Sequence, residues 1–438
     1  MAEKKNKFQI ILFIVLGFAI VISVAIFSIT NKSGASDEVA ITLWGTFSGG
    51  DFLERIAEIN EDKKETGVSI QYVNKSELSY KEDLLEAFAS GGGPDIFFIN
   101  QDMIIPYENK ITALPYENFP ERDYKLRYVD GASIFLGNSG VIAFPFAVDP
   151  LVMYYNKSIF NSAGISDSPK TWDQFAGLVP ILTNKDSNQN IIKSGLAFGQ
   201  FKNIQYAGSV FETLLLQLGD PIIARDNSGR YVSVVNDSNS AATDPLSLSL
   251  GFFTNFANPL LDTYSWNGSL PSAEDMFVQD KLAMYFAPAS RFFDIQRKNI
   301  NLNYEITKIP QVSQTSNFVT SGDFYGISIA KSSRNRQAAY AAINLLTNGP
   351  ANADLVDNLS LAPVRRDLLR SSVGLNSYQS AIRESALVSY SWLNPAPQQT
   401  ELYFEDAVDG VIQGRVDEGA ASRMVDGQLK LLLDSFNK

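Results

Sequence analysis

Residues 38–73, EVAITLWGTFSGGDFLERIAEINEDKKETGVSIQYV, decide the fold class because they alternate the patterns of strand, helix and strand. The first eight residues are mostly apolar and β-branched, which is typical of a buried strand. Between Gly49 and Gly67, apolar side chains recur every three or four positions, the spacing of an amphipathic helix. The last six residues return to the strand pattern. The stretch therefore predicts a strand–helix–strand unit.

The following residues repeat this alternation. Residues 79–93, SYKEDLLEAFASGGG, predict a helix that ends at its glycines, and residues 94–100, PDIFFIN, predict a third strand. A phosphate-binding glycine loop would precede a helix, whereas these glycines precede Pro94 and a strand, so we interpret them as a helix end. Strands that alternate with helices predict an α/β fold with a mostly parallel sheet. The 438 residues are enough for two lobes of about 150–200 residues each.

The composition excludes several classes of protein. The chain has 36 basic and 48 acidic residues, a net charge of −12, and no histidine or cysteine. Nucleic-acid binding needs clusters of lysine and arginine, so nucleic acid is not an expected partner. Without cysteine or histidine there is no disulfide, no thiolate nucleophile, no imidazole base and no usual zinc ligand. Any catalysis would depend on carboxylates, hydroxyls, lysine or a hard metal ion.

Residues 1–35 form a separate N-terminal segment. Three lysines within the first seven residues precede about twenty apolar residues, Ile10 to Ile29, which can span a bilayer as a helix. The lysines keep the N-terminus in the cytoplasm, so the rest of the chain lies outside. The segment is either an uncleaved anchor or a cleaved signal peptide with a small-residue site at 33–35. Its apolar run is longer than that of a typical signal, so we predict a single-pass anchor in the cell membrane.

One polar stretch needs to be distinguished from a metal site. Residues 186–190, DSNQN, begin like a calcium-binding loop. Ile191 stands where the turn glycine of such a loop belongs, and Ala197 stands where its bidentate glutamate belongs. We therefore predict a polar turn at this position and no bound metal.

A single carboxylate interrupts an apolar and aromatic run later in the chain. Residues 144–160, FPFAVDPLVMYYNKSIF, contain Asp149 directly before Pro150. Burying a carboxylate is unfavourable unless it has a partner. Asp149 therefore lies either at a solvated edge or where a polar group can contact it.

Six segments occur in an order that resembles a known family. They are ITLWG (41–45), GPDIFFINQD (93–102), AFPFAVDPLVMYYNKSIFNSAGISDSPKTWDQF (143–175), KLAMYFAPAS (281–290), FYGISIAKSSRNRQAAYAAINLL (324–346) and VIQGRVDEGAAS (411–422). In this order they resemble the extracellular solute-binding proteins of ABC importers, family 1, the maltose-binding type, which bind sugars and oligosaccharides. The resemblance runs from about residue 39 to the C-terminus.

The resemblance implies a two-lobed, periplasmic-binding-protein-like α/β fold of type II. Its lobes are joined by a three-crossover hinge and close over a ligand in the cleft between them. The implied lobes are residues 39–148 with 311–361, and residues 149–310 with 362–438. The implied crossovers lie near Phe146–Pro150, Ile309–Gln311 and Leu361–Val364.

The resemblance also implies two carboxylate contacts to the ligand. It places Asp149 on the floor of the cleft, where sugar hydroxyls would supply the missing hydrogen-bond donors. The alternative for Asp149 is a hinge or helix-capping role next to Pro150. Asp102 follows the third strand at the position of another carboxylate contact, and its alternative is an exposed loop.

Aromatic side chains complete the implied ligand-binding set. Trp44 and Trp392 lie at positions where the family places rings that stack on sugars, and the alternative for Trp44 is the buried core. Either Phe324 or Tyr325 is expected to flank the cleft.

Two positions depart from the maltose-binding type. Ile99 and Ser290 stand where that type has tryptophans, so stacking on a glucan chain should be weaker. Maltodextrin is therefore not the expected ligand, although a saccharide still is. Ser48 and Ser290 are the remaining implied contacts.

The predicted function is that of an extracytoplasmic solute-binding protein. It would capture a sugar or oligosaccharide in the interlobe cleft and deliver it to ABC transporter permease subunits, as a monomer without a cofactor or catalytic residues. One alternative is a ligand-sensing module for a membrane receptor, which would share the fold and the cleft. The other is an extracytoplasmic glycosidase, whose two carboxyl groups would lie about 5–10 Å apart.

Overall fold

The computed structural model describes residues 38–61, 67–235, 244–313, 318–370 and 375–437. The predicted N-terminal anchor or signal, residues 1–35, lies outside the described residues. Within the described ranges, no helix is both long and apolar enough to cross a membrane. These residues form an α/β structure around one large sheet.

Strands and helices alternate along most of the described chain. The strands are β1 Val39–Gly45, β2 Val68–Asn74, β3 Ile96–Asn100, β4 Leu114–Pro115, β5 Gly140–Val141, β6 Phe144–Asn156, β7 Asn184–Lys185, β8 Ile191–Leu196, β9 Ile223–Arg225, β10 Tyr231–Ser233, β11 Leu282–Pro288, β12 Tyr304–Thr307, β13 Thr320–Ile329, β14 Ala362–Pro363 and β15 Ser389–Tyr390. The helices are α1 Gly50–Glu61, α2 Tyr80–Ser90, α3 Gln101–Tyr107, α4 Glu121–Arg127, α5 Lys157–Ser162, α6 Trp172–Leu182, α7 Ala207–Gln217, α8 Pro245–Thr254, α9 Ala273–Val278, α10 Phe292–Lys298, α11 Arg336–Thr347, α12 Gly349–Asn358, α13 Arg366–Leu369, α14 Ser377–Ala386, α15 Pro397–Ile412 and α16 Glu418–Phe436.

The first three strands confirm the predicted strand–helix alternation. β1 lies between β2 and β3 and is parallel to both, and Leu43 is opposite Ile96. α2 ends at Gly91, whose φ of 74° is left-handed and whose backbone N–H bonds to the carbonyl of Ala87. A glycine adopts this conformation at little cost, so the interpretation of the glycines as a helix end is confirmed.

The centre of the sheet corrects the prediction of a mostly parallel sheet. The strand order is β2-β1-β3-β13-β6-β11-β8-β7, and β13 is antiparallel to both β3 and β6. β6 is also antiparallel to β11 and β12. The sheet is therefore mixed, because a strand from the second half of the chain inserts beside the first parallel unit.

β6 is a continuous strand of 13 residues that changes its hydrogen-bonding partners along its length. Its first part, Phe144 to Pro150, pairs with β13, whereas its second part, from Leu151 onward, pairs with β11 and β12. The change falls at Pro150, which has no backbone N–H to donate to either ladder. One strand thereby connects two regions of the sheet.

The two later segments that were predicted as crossovers also have defined contacts. Ala362 in β14 is opposite Val148 in β6. The backbone of Gln311 exchanges hydrogen bonds with Lys170 and Trp172, at 3.0 Å each. The lobe boundaries given above remain a prediction.

Two hydrophobic clusters pack against the sheet. The smaller cluster packs α1 and α11 onto β1 and includes Ile41 and Ile343. The larger cluster extends over β6, β11 and α7 and includes Trp266, which is fully buried. The indole N–H of Trp266 donates to Asn203 Oδ1 at 2.9 Å, so this buried polar group is satisfied.

The polar turn predicted at residues 186–190 is confirmed. Asp186 Oδ1 accepts hydrogen bonds from the backbone N–H groups of Asn188 and Asn190, both at 2.8 Å. The turn connects the antiparallel strands β7 and β8. Side-chain-to-backbone bonds of this type favour turns.

Replacing Gly131 with alanine should destabilise the fold strongly. A Cβ atom at this position would clash with the carbonyl oxygen of Ser389 and lie 2.7 Å from the Phe324 ring. Overpacking typically costs about 1–3 kcal/mol, and a backbone obstacle places this variant at the upper end. Urea-induced unfolding of Gly131→Ala should show a lower midpoint than that of the unmodified chain.

The matched control is Gly177→Ala within α6. No atom lies within 4 Å of a Cβ atom at Gly177, so alanine should leave the free energy of unfolding unchanged or raise it by about 0.5–1 kcal/mol. Equal stability of the two variants would contradict the close packing described for Gly131.

Candidate functional site

A cavity of about 190 Å³ lies beside β13, between α7, the start of α3, and the first turns of α15 with the segment that precedes them. Its polar lining includes Gln101, Asp102, Glu212 and Asp323, and Trp392 contributes an aromatic ring. Small-molecule pockets usually measure about 300–1,000 Å³, so this cavity fits a small ligand.

Asp323 lies on β13 at the wall of the cavity. Its Oδ1 atom accepts a hydrogen bond from Gln101 Nε2 at 2.6 Å, and Gln101 Oε1 in turn accepts from the backbone N–H of Phe324 at 3.0 Å. Gln101 is thus held at both ends and fixes the carboxylate. Asp323 is exposed to the solvent of the cavity, and desolvation by the protein around it still raises the pKa of its carboxyl above the ordinary value.

Glu212 projects from α7 into the same cavity. It accepts hydrogen bonds from the Ser391 hydroxyl, at 3.1 Å, and from the backbone N–H of Trp392. Burial raises the pKa of Glu212 well above its usual range, and the charges of Asp323 and Asp102 raise it further. The carboxyl groups are therefore close enough to repel one another when they are ionised.

Asp102 lies in the first turn of α3, where the chain leaves β3. Burial is the main cause that raises its pKa to about 7, and the charge of Asp323 adds to it. Lys81 opposes this shift, but its Nζ atom is 3.8 Å from Asp102 Oδ2 and is itself half exposed. Asp102 lines the cavity, so it lies where a carboxylate contact was expected; the contact itself stays a prediction.

Asp149 lies on β6 directly opposite Asp323 on β13. It is buried and does not line the cavity, and its Oδ1 atom accepts the backbone N–H of Ser290 at 3.1 Å. This arrangement agrees with the capping alternative, although the capped turn is Ala289–Arg291 rather than the residues after Pro150. Burial raises the pKa of Asp149 to about 7, although the hydrogen bonds from Ser290 act to lower it.

The aromatic candidates separate into different environments. Trp392 lines the cavity, is mostly buried and packs edge-on against Phe404. Phe324 belongs to the hydrophobic core, whereas Tyr325 lies on the same face of β13 as Asp323. The charges of Asp323 and Asp149 add to burial in raising the pKa of Tyr325. Tyr325 is therefore the member of the pair that faces the acidic groups.

Three other candidates do not line the cavity. Trp44 is half-buried, and Lys75 Nζ lies 3.9 Å from the centre of its ring. Ser48 is exposed and Ser290 is half-buried. Their contribution to ligand binding stays a prediction.

The cavity also contains groups that the sequence analysis missed. Glu212 is the single charged residue of α7, and Asp323 is the single charged residue of β13. The sequence feature that could have identified both residues is a single acid within an otherwise uncharged helix or strand. Among the described residues, no cluster of three or more acidic side chains has the arrangement of a metal site.

Comparison with known proteins identifies matches along most of the chain. Residues 50–353 match the family described as bacterial extracellular solute-binding protein. A binding protein of Brucella abortus (strain 2308) is 21% identical over 296 residues, which cover 65% of this chain and 66% of the relative. The chain thus spans just under two thirds of the length of that relative. The galactooligosaccharide-binding protein of Bacillus subtilis (strain 168) is 23% identical over 385 residues, which cover 84% of this chain and 85% of the relative.

A solved structure shows the same fold. A cyclo/maltodextrin-binding protein in complex with maltotetraose superposes with a TM-score of 0.72 at 16% identity. The superposition covers 91% of this chain and 98% of that chain. The two-lobed, periplasmic-binding-protein-like architecture is therefore established for the described residues.

Asp149→Asn should change the pH dependence of stability. The folded-state pKa of about 7 lies above the ordinary value of 3.8, so the folded state retains the proton, and stability falls as pH rises from about 4 to 7. Asparagine keeps the Oδ1 acceptor for Ser290 and carries no charge. The variant should therefore be more stable than the unmodified chain at pH 8 by about 4 kcal/mol, and this difference should shrink towards pH 5.

Thermal unfolding of the ligand-free protein between pH 5 and pH 8 measures this effect. Asp123→Asn, which removes an exposed carboxylate from α4, is the matched control and should give the same pH profile as the unmodified chain. A difference between Asp149→Asn and the unmodified chain that does not vary with pH would contradict the prediction.

Proposed function

Because the chain belongs to the bacterial extracellular solute-binding protein family, we propose that it captures a sugar or oligosaccharide and delivers it to the permease of an ABC importer. The observation that carries the proposal is the half-open cavity, which combines several hydrogen-bonding side chains with the ring of Trp392. Sugars present hydroxyl donors around their edge and an apolar surface on one face. The cavity offers a partner for each of these surfaces.

The carboxylates are suited to bind hydroxyl groups. Asp323 is held by Gln101 and faces the cavity, so its orientation is fixed before a ligand arrives. Fixed acceptors lose little conformational entropy on binding, which favours affinity. In this proposal Asp102 and Glu212 contact further hydroxyls. Asp149 does not contact the ligand directly but lies next to Asp323 on the neighbouring strand.

The proposed lobes are residues 39–148 with 311–361, and residues 149–310 with 362–438. β6 supports a hinge at Pro150, because the strand changes its pairing partners there. A rotation at this point would move α7 and Glu212 relative to β3 and Asp102. Ligand binding would then favour the closed arrangement by contacting both lobes.

The N-terminal sequence supports a proposal about location. Residues 10–29 would anchor the chain in the cell membrane and keep the binding domain close to the permease, outside the cytoplasm. We further propose that the protein acts as a monomer and is not an enzyme. A sensory role for the same cleft is tested by whether permease genes adjoin its gene, and glycosidase activity by an assay for released reducing sugar.

Saccharides should raise the thermal unfolding temperature of the protein. A ligand at one hundred times its dissociation constant adds about 2.7 kcal/mol to the stability of the folded state, which gives an upward shift of several degrees. A panel of mono- and oligosaccharides should contain at least one ligand of this kind. If no saccharide in a broad panel shifts the transition, the proposed function is wrong.

Trp392→Leu should weaken binding of the identified saccharide about three- to tenfold. The substitution removes an aromatic surface worth about 0.5–1.5 kcal/mol beyond the area that it buries. Isothermal titration calorimetry measures the change. Phe318→Leu removes an exposed aromatic ring that does not line the cavity, and it should bind as the unmodified chain does. Equal affinities of both variants would exclude Trp392 from the site.

A further inference from the structure

The charged groups of the cavity are all of one sign. Asp102, Glu212, Asp323 and Glu401 line it, whereas no lysine or arginine of the described residues does. Lys81, the cation beside Asp102, is half exposed and lies 3.8 Å from that carboxylate. The cavity therefore collects four acidic side chains without an internal counter-charge.

The hydrogen-bond partners of these acids are mostly neutral. Gln101 donates to Asp323, and the Ser391 hydroxyl donates to Glu212. Asp323 is exposed to solvent and lines the cavity, so a ligand can reach its carboxylate. Neutral donors orient a carboxylate, but they do not offset its charge when water is excluded.

Two buried acids elsewhere in the described residues are neutralised by cations. Glu274 is as buried as Asp149, and it contacts Arg291 at 3.0 Å and Lys298 at 2.6 Å. Asp426 is also buried and pairs with Lys430 at 2.6 Å. Among the described residues, Glu212, Asp323 and Glu401 have no lysine or arginine within ion-pair distance, and Asp102 has only the half-exposed Lys81.

We infer that the natural ligand supplies the missing cation, and that it is a hydroxylated amine of the size of an amino sugar. This inference rests on the proposed function, because it assigns the chemistry of the solute to the same cavity. A protonated amine has three N–H donors and can contact several carboxylate oxygens at once. Its remaining hydroxyls would bind Gln101 and Ser391, and its apolar face would lie against Trp392.

The test compares ligands that differ in one substituent. Glucosamine, N-acetylglucosamine and glucose share a ring but carry an ammonium, a neutral amide and a hydroxyl, and the galactose and mannose series provide the same three groups. Titration calorimetry with the full-length chain measures each affinity. At least one amine should bind ten times more tightly than its N-acetyl and hydroxyl counterparts.

Variants of the acids show whether the carboxylates cause this preference. Glu212→Gln and Asp323→Asn retain the size of each side chain and should each reduce the ratio of amine to neutral-sugar affinity at least tenfold. Asp123→Asn changes the net charge equally at an exposed position and should leave the ratio unchanged. Unfolding transitions of each variant establish that the compared proteins are folded.

The outcomes separate this inference from the proposed function. If neutral sugars bind as tightly as amines, the inference of a cationic ligand is wrong and the proposed saccharide function stands. If the amines bind best but the ratio survives in both variants, the carboxylates are not the cause and the inference is wrong. If none of the amines binds, the inference also fails, whereas the proposed function fails only if the wider saccharide panel gives no ligand.

Discussion

The antiparallel register of β6 and β13 sets the buried Asp149 directly opposite Asp323, which lines the cavity. Side chains that are directly opposite on neighbouring strands are about 4.5–5.5 Å apart, so two carboxylates in these positions repel each other. Gln101 holds one of them and the backbone of Ser290 caps the other. The repulsion therefore cannot be relieved by rotating both acids away. An unfavourable pair is retained at the position where β6 changes its partners.

The elements around this pair are mostly locally consistent. α1 and α2 follow amphipathic patterns, and α2 ends at a left-handed glycine. The buried acid Glu274 is matched by two cations. Proteins generally violate such rules only where function requires it, and compensate for the cost elsewhere. The large core around Trp266 provides the stability that allows several unmatched carboxylates to remain in one place.

The sequence of this protein predicts local secondary structure better than it predicts which strands pair in the sheet. The alternation in residues 38–100 gives strands and helices correctly, since both patterns depend on near neighbours. The mixed sheet could not be derived in the same way, because β13 reaches β3 and β6 from more than 150 residues away. The same limit applies to the site. The resemblance drew attention to Asp149 and Trp392, but Glu212 and Asp323 become neighbours only through tertiary folding.

The unmatched acids connect ligand binding to the protonation state of the cavity. Ionised carboxylates in an enclosed space oppose its closure, because they lose water without gaining a counter-charge. Protonation reduces this cost, and the pKa of about 7 for Asp102 shows that protonation competes with ionisation near neutral pH. A cation reduces the same cost while it keeps the acids ionised. Closure of the cavity is unfavourable when the acids are ionised and no cation is bound. The ligand-free protein should therefore favour an open arrangement, and ligand binding should stabilise the closed one.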